Sequence, residues 1–429
     1  MRRIGSVGAA HHYGAKCVAV RTRTGRSDSA GSWPPRDPGA TDPVSRLATA
    51  RSRGLRGLYK QSVHLYSLAM ASPWRGGTMI PGHGALSNPA GRFERRSTEA
   101  VDDGWFHEAA TNGPPLTVTA EHARALITTN DSPDIPFEQS INPYRGCSHA
   151  CVYCYARPSH AYLGLSAGLD FETKLFYKAD AAELLQRELA RPGYRCTPIT
   201  LGANTDPYQP IERQLRVTRA ILEVLAACRH PVTIITKSAL VLRELDLLSV
   251  LAKDHLVQVG ISITTLDTEL KRRMEPQTAS PPARLRTVRE LTAAGIPAGV
   301  LVAPVIPALT DHEIERILEA AAAAGAQWAG YVLLRLPHEL RTLFSEWLEA
   351  HYPDRAAHVL SLIRQMRNGR ENDPRFGSRM RGEGPFADML RVRFHAACRR
   401  TGLNTGRNAP LEVGHFRRPG GSAQLVLNF

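Results

Sequence analysis

No apolar run in this 429-residue chain approaches the ~20 residues needed to cross a bilayer. The start, Met1-Arg2-Arg3-Ile4-Gly5, lacks the continuous apolar core and small-residue cleavage site of a signal peptide. Cysteine is scarce. The seven present form no paired framework, which excludes a disulfide scaffold and fits a reducing, cytoplasmic setting. Acidic residues are also in deficit, 40 Asp and Glu against 54 Lys and Arg, for a net charge of +14. The deficit is uneven. Residues 1–100 hold 16 Lys and Arg against 5 acids, and residues 355–429 hold 14 against 5. Residues 101–354 are therefore a mildly acidic body, at −6, between two basic ends. Basic ends can attract nucleic acid through its phosphates, although Arg-rich composition alone gives the same balance. Residues 1–69 lack apolar periodicity, as in Ser32-Trp33-Pro34-Pro35-Arg36-Asp37-Pro38, and read as a disordered or non-native extension. Met70 and Met79 are alternative starts.

What is present is a concentration of thiols. Cys147, Cys151 and Cys154 fall within eight residues at C-x3-C-x2-C spacing. Thiolates this close on one loop can converge on one metal, and thiolate is the usual iron–sulfur ligand. Three ligands leave one iron of a [4Fe–4S] cubane open, and an open position signals chemistry rather than structure. Tyr153 can lay its ring beside whatever binds there. A structural zinc site, with His149 or His160 as fourth ligand, and three unrelated buried cysteines are the competing readings; neither usual zinc pattern of paired ligands is present. Cys17, Cys196, Cys228 and Cys398 read as small buried hydrophobes.

The C-x3-C-x-aromatic-C run resembles the signature of the radical-SAM superfamily. The flanks, Ser140-Ile141-Asn142-Pro143-Tyr144-Arg145-Gly146 and Tyr155-Ala156-Arg157-Pro158-Ser159-His160, resemble a bacterial family grouped with spore photoproduct lyase as "DNA repair photolyase". The resemblance runs from about Gly82 to about Leu403 and takes in Gly82-His83-Gly84-Ala85-Leu86-Ser87-Asn88-Pro89, a Gly-rich loop expected against the barrel mouth. It implies a [4Fe–4S] cluster on the three cysteines and S-adenosylmethionine bound at the open iron. One-electron cleavage to a 5′-deoxyadenosyl radical then abstracts hydrogen from a substrate. It also implies a flavodoxin- or ferredoxin-type electron donor and no membrane partner. The substrate expectation is nucleic acid, DNA or RNA, handled in a lyase-like way. A peptide, protein or small molecule is the alternative, and a non-catalytic iron–sulfur protein that binds nucleic acid is a third reading. In spore photoproduct lyase a hydrogen-donor cysteine ends the second strand. Here Gly202-Ala203-Asn204 stands there, which argues against carrying that reaction over.

From Gln139 onward short β-branched runs alternate with helical patterns. Strands are expected at 139–142, 198–203, 232–236, 257–263, 298–303 and 328–334, with helices at 213–227, 241–252, 283–294 and 311–324. Asp311 is the expected N-cap of the last and Gly325 its C-cap. This is an α/β class, and six units with parallel strands match the partial (β/α)6, TIM-like barrel the resemblance implies. The expected organisation is an extension at 1–69, an N-terminal segment at 70–135, the partial barrel at 136–340, a helical basic region at 341–403 and a disordered tail at 404–429.

Active residues should follow the strand ends. The resemblance puts the methionine amino group at the second, where Asn204, Thr205 and Asp206 supply acceptors. Glu212 is a further acid there, or only the start of a helix. Lys237, after the third strand, suits the methionine carboxylate. Ser262 and Thr264 share one face of the fourth and could meet ribose hydroxyls. Arg284 or Arg286 could reach a substrate anion or Glu275. Pro304 to Ala308 could offer backbone to adenine. Arg375 to Gly384 reads as a Gly-rich basic loop.

Overall fold

The computed structural model describes residues 19–22, 79–93, 96–99, 113–406 and 410–420. Its centre is a seven-stranded sheet: β1 (Ile127–Thr129), β2 (Gln139–Ile141), β3 (Ile199–Leu201), β4 (Val232–Thr236), β5 (Val257–Ser262), β6 (Ala298–Val305) and β7 (Trp328–Leu333). The strands lie in sequence order. β1 pairs antiparallel with β2, and β2 to β7 are parallel throughout. The inner strands are rich in Val and Ile, with β5 buried along most of its length and β4 alternating between buried and half-buried positions.

Each parallel step crosses over through a helix. These are α1 (Ala181–Leu189), α2 (Val217–Ala227), α3 (Leu245–Lys253), α4 (Pro281–Ala293) and α5 (Ile314–Ala323). The six expected strands are all present, so the expected α/β architecture of six parallel strands holds. Helix boundaries differ, for identifiable reasons. The helix expected over 213–227 breaks at Arg216, whose φ is 53°. The Glu212 carboxylate accepts the Thr218 and Arg219 amides at 3.0 and 3.2 Å and so starts α2 afresh. Asp311 is not the cap of the fifth helix. Residues 311–313 form a 3-10 turn whose cap position is Thr310, and α5 starts at Ile314. Gly325 does follow α5 at φ 96°, as a helix-ending glycine does.

A second, three-stranded sheet was not legible beforehand. Thr117–Glu121 runs parallel to Lys174–Lys178, which pairs antiparallel with Tyr144–Arg145. It grips the chain just before Cys147, whose amide donates to the Phe171 carbonyl at 2.9 Å.

The C-terminal region is helical, as expected: α6 (Leu340–His351), α7 (Pro353–Gln365) and α8 (Pro385–Thr401). Trp347 and Phe344 of α6 pack with Val152 and Tyr153 of the cysteine loop. The tail differs from the disordered stretch expected from Asn404 onward. Asn404 extends the sheet edge by bonding both polar groups of the Ala329 backbone. Phe416 lies 5.4 Å from the His230 ring, and the Arg417 amide donates to the Cys228 carbonyl at 2.7 Å. Residues 407–409 and 421–429 lie outside the described residues. So does most of 1–69, including Cys17. The described part of that unit is Ala19–Thr22, paired antiparallel with Arg96–Glu99. Among the described residues no helix is long and apolar enough to cross a membrane.

Burial gives one testable consequence. His230 is fully buried, and desolvation pushes its pKa down to about 4. The unfolded chain protonates near 6.5 while the folded one does not, so stability holds above that pH and falls as pH drops toward 4. At ~1.4 kcal/mol per unit the loss reaches about 3 kcal/mol. Thermal melts between pH 7 and pH 4 should show it, with a smaller acid loss in His230→Gln.

Candidate active site

The cysteine loop hangs from the C-terminal end of β2, on the edge of the sheet where the parallel strands end. Cys147 and Cys151 are buried and Cys154 is half-buried. All three lie close enough to act on one another's charge. Burial pushes the Cys151 and Cys154 thiols up, and Glu275 and Cys147 respectively push further. The Lys237 ammonium pulls both down. Among the described residues no three His, Cys, Asp or Glu stand ready to hold a metal ion. The loop gathers the thiols without drawing them to a point.

Four clamps fix the loop. Gln209, fully buried, accepts the Ser148 amide at 2.9 Å and donates to the Gly146 carbonyl at 3.3 Å. Arg157, also fully buried, donates to the Cys151 carbonyl at 2.9 Å and pairs with Glu172. Glu172 in turn accepts the Gly84 and Ala85 amides, so the Gly82–Ala85 loop is bound to the back of the cysteine loop. Gly84 has to be glycine: a Cβ there would sit 2.0 Å from the Ala150 carbonyl oxygen. The last clamp is residues 274–277. The Met274 carbonyl accepts the Val152 amide at 3.0 Å, and the Gln277 amide donates to the His149 carbonyl at 3.3 Å.

Asp206 is a hub rather than a free acceptor. It takes the Thr236 hydroxyl at 2.7 Å, the Lys237 amide at 2.8 Å and the Tyr208 amide at 2.9 Å. His149 Nδ1 stands 3.4 Å away, an ion-pair distance without hydrogen-bond alignment. Burial opposes charge on both. The mutual attraction wins, lowering Asp206 to about 2 and raising His149 to about 9. Thr205 is also committed, donating to the Tyr144 carbonyl at 2.8 Å. The Asn204 amide is held by Asn142 Oδ1 at 2.9 Å. Glu212 accepts Tyr144 Oη and caps α2, which makes it scaffold.

The Lys237 ammonium stands 5.9 Å from the centre of the Tyr153 ring, and among the described residues no carboxylate lies within ion-pair distance of it. Tyr153 Oη donates to Glu275 and lies 3.1 Å from Thr264 Oγ1. Thr264 is itself 2.7 Å from Glu275, so the expected pair of free hydroxyls with Ser262 is not available as such. The carbonyl of Ser262, a buried residue, accepts Arg284 Nη1 at 2.9 Å. Arg284 also pairs with Glu275, both fully buried, whereas Arg286 lies on the surface beside Glu290. The loop expected to be basic is largely answered by acids. Arg375 pairs with Asp373 and Glu383, and Arg379 with Asp134.

His160, the alternative zinc ligand, has Nε2 3.0 Å from the Lys174 carbonyl, and burial pushes its pKa down to about 4. Gly202, at the end of β3, has φ 88° and no room for a side chain, since a Cβ would meet the Ile235 carbonyl oxygen at 2.1 Å. Gln209, Arg157 and Glu172 were missed as clamps. The only sequence signal was a long polar residue inside otherwise loop-like motifs.

Comparison with known proteins adds the following. The profile of the Radical SAM superfamily matches residues 141–321. An uncharacterised protein of Mycobacterium tuberculosis is 39% identical over 243 residues, 56% of this chain and 72% of that protein. An uncharacterised protein of Methanocaldococcus jannaschii is 29% identical over 215 residues, 50% of this chain and 76% of its own. Among solved structures, spore photoproduct lyase aligns at a TM-score of 0.49 and 18% identity, over 67% of this chain and 80% of that one.

Proposed function

The chain belongs to the radical SAM superfamily, and from that premise we propose that Cys147, Cys151 and Cys154 hold a [4Fe–4S] cluster and that Lys237 meets the carboxylate of S-adenosylmethionine. Membership implies an enzyme and both of these groups. When bound, they supply reductive, hydrogen-abstracting radical chemistry. The observation that carries the reading is the juxtaposition of three thiols on one braced loop with the Lys237 ammonium, 5.9 Å from the Tyr153 ring within that loop. Buried thiols are costly to ionise alone, so a cationic metal group and a nearby lysine suit this donor set.

The chain's own residues do the positioning. Gln209 and Arg157 hold the loop backbone, leaving the thiols free to turn inward. Asp206 fixes the Lys237 amide and with it the root of the lysine side chain. The Asn204 side chain remains as an acceptor for the methionine amino group. Tyr153, tied to Glu275, presents its ring as a wall. Packing of α6 over Val152 and Tyr153 keeps water from that side. For the substrate, the basic balance of residues 355–429 supports an anion, nucleic acid foremost. A flavodoxin- or ferredoxin-type protein is the proposed reductant.

The test is anaerobic reconstitution followed by reduction with dithionite. Release of 5′-deoxyadenosine from S-adenosylmethionine is expected; none at full iron loading overturns the reading. Lys237→Ala should keep its iron and bind S-adenosylmethionine about ten- to a hundredfold more weakly, the cost of one charge-assisted hydrogen bond. Unchanged affinity in that variant removes Lys237 from the site.

A further inference from the structure

Beside the cysteine loop stands a cation with no acid at ion-pair distance among the described residues. Arg335 follows β7 and is half-buried. Its Nε is sealed from water and has no partner. Among the described residues its one acceptor is Met380 Sδ, 3.6 Å from Nη1, and a thioether accepts weakly. The neighbouring cations are better partnered, although Arg367 Nε is likewise buried without a partner. Arg379 has Asp134 and Ser132, and Arg367 has the carbonyls of Leu334, Ser378 and Arg379. Arg367 has no carboxylate in ion-pair contact, and the Arg335 guanidinium acts against its charge.

The other half of the feature is Tyr155, the residue after Cys154. Its Oη donates to the Ala203 carbonyl at the end of β3, which fixes the ring. The residue is 47% exposed, and the Arg335 guanidinium carbon lies 5.9 Å from the ring centre. An aromatic face beside a cation with unused donors is an arrangement that takes a base and its phosphate together.

We propose that Arg335 anchors a phosphate ester of the substrate, with the attached base laid on Tyr155. This deepens the radical-SAM reading and rests on it for the position of the reacting centre. Guanidinium fits carboxylate and phosphate equally in shape. The adjoining aromatic face, on which a base can lie, favours a phosphate ester. The phosphate can belong to a free nucleotide or to a nucleic-acid strand.

The experiment uses the full chain with its cluster reconstituted. A fluorescein-labelled single-stranded hexanucleotide reports binding, with thymidine 5′-monophosphate and glutarate as competitors. The expected result is strand binding that falls about tenfold or more in Arg335→Gln and partly returns in Arg335→Lys. Because Arg335 has no oxygen partner to lose, Arg335→Met should melt no lower than the parent, which a structural arginine would not allow. Competition by the monophosphate assigns the site to a free nucleotide, and binding of the strand without such competition assigns it to nucleic acid; either supports the anchor. Unchanged strand affinity in Arg335→Gln, failure of the wild type to bind the strand or the monophosphate, or equal competition by glutarate overturns it. Iron content and 5′-deoxyadenosine release in the same samples report the radical-SAM reading separately.

Discussion

Replacing Cys147, Cys151 or Cys154 singly with Ala is expected to leave the anaerobically purified protein colourless, with the loss of essentially all of about four irons per chain. Two thiolates cannot hold a cubane that already has one iron without a protein ligand. Among the described residues no other cysteine can step in. Cys196 precedes β3 and Cys228 ends α2, so both lie toward the sheet edge opposite the strand ends, and Cys398 is within α8. Nor is His160 free to substitute, with its Nε2 against the Lys174 carbonyl. The fold should survive, because the loop is held through backbone groups by Gln209, Arg157 and Met274 and not through the thiols. Iron and sulfide assays with melting curves on all three variants decide the matter. A variant that keeps its iron, or a wild type with one zinc and no sulfide, would sink the cluster assignment.

The sheet was legible because β-branched runs between turn residues leave few alternatives for a chain of this kind. Val232–Thr236 needed no tertiary information. The thiol loop was legible because spacing alone carries the chemistry. What was not legible depends on contacts between distant residues. Glu172 and Gly84 are 88 positions apart, and Tyr153 and Glu275 are 122 apart. Asp206 illustrates the cost of that. Its place at a strand end made it a ligand-facing acceptor by pattern, yet in the folded chain it closes against Thr236, Lys237 and His149. Thr264 has the same history with Glu275. Composition likewise exposed the basic C-terminal region without exposing the acids that answer it, since Asp134 meets Arg379 from 245 residues away. Arg335, which stays unanswered, has nothing in its local sequence to distinguish it from those that are paired.

The largest stability effect is expected from the ion pair beneath the cysteine loop. Arg284 and Glu275 are 1% and 0% exposed. Arg284 donates to Glu275, to the carbonyls of Ser262 and Ala279 at 2.9 Å each, and to Thr278 Oγ1 at 2.6 Å. Arg284→Met leaves a buried carboxylate with the Tyr153, Thr264 and Thr278 hydroxyls and only the weaker pull of His149, and burial already raises the Glu275 pKa. Breaking one side of such a pair costs about 3–5 kcal/mol, whereas removing both charges costs far less. The order of stability should therefore be wild type, then Glu275→Gln with Arg284→Met together, then Arg284→Met alone. The sign with pH follows. In Arg284→Met the folded pKa of Glu275 lies above its unfolded value, so relative stability is kept at low pH and lost as pH rises through the raised pKa. The variant should lose less against wild type at pH 5 than at pH 8. Because residues 274–277 brace Val152 and His149, the weakened pair should also loosen the loop and reduce iron loading. Urea unfolding of the three proteins at both pH values measures this directly. A single variant as stable as the double one, or a deficit that does not change with pH, would show that the pair is solvated in the folded protein and does not brace the site.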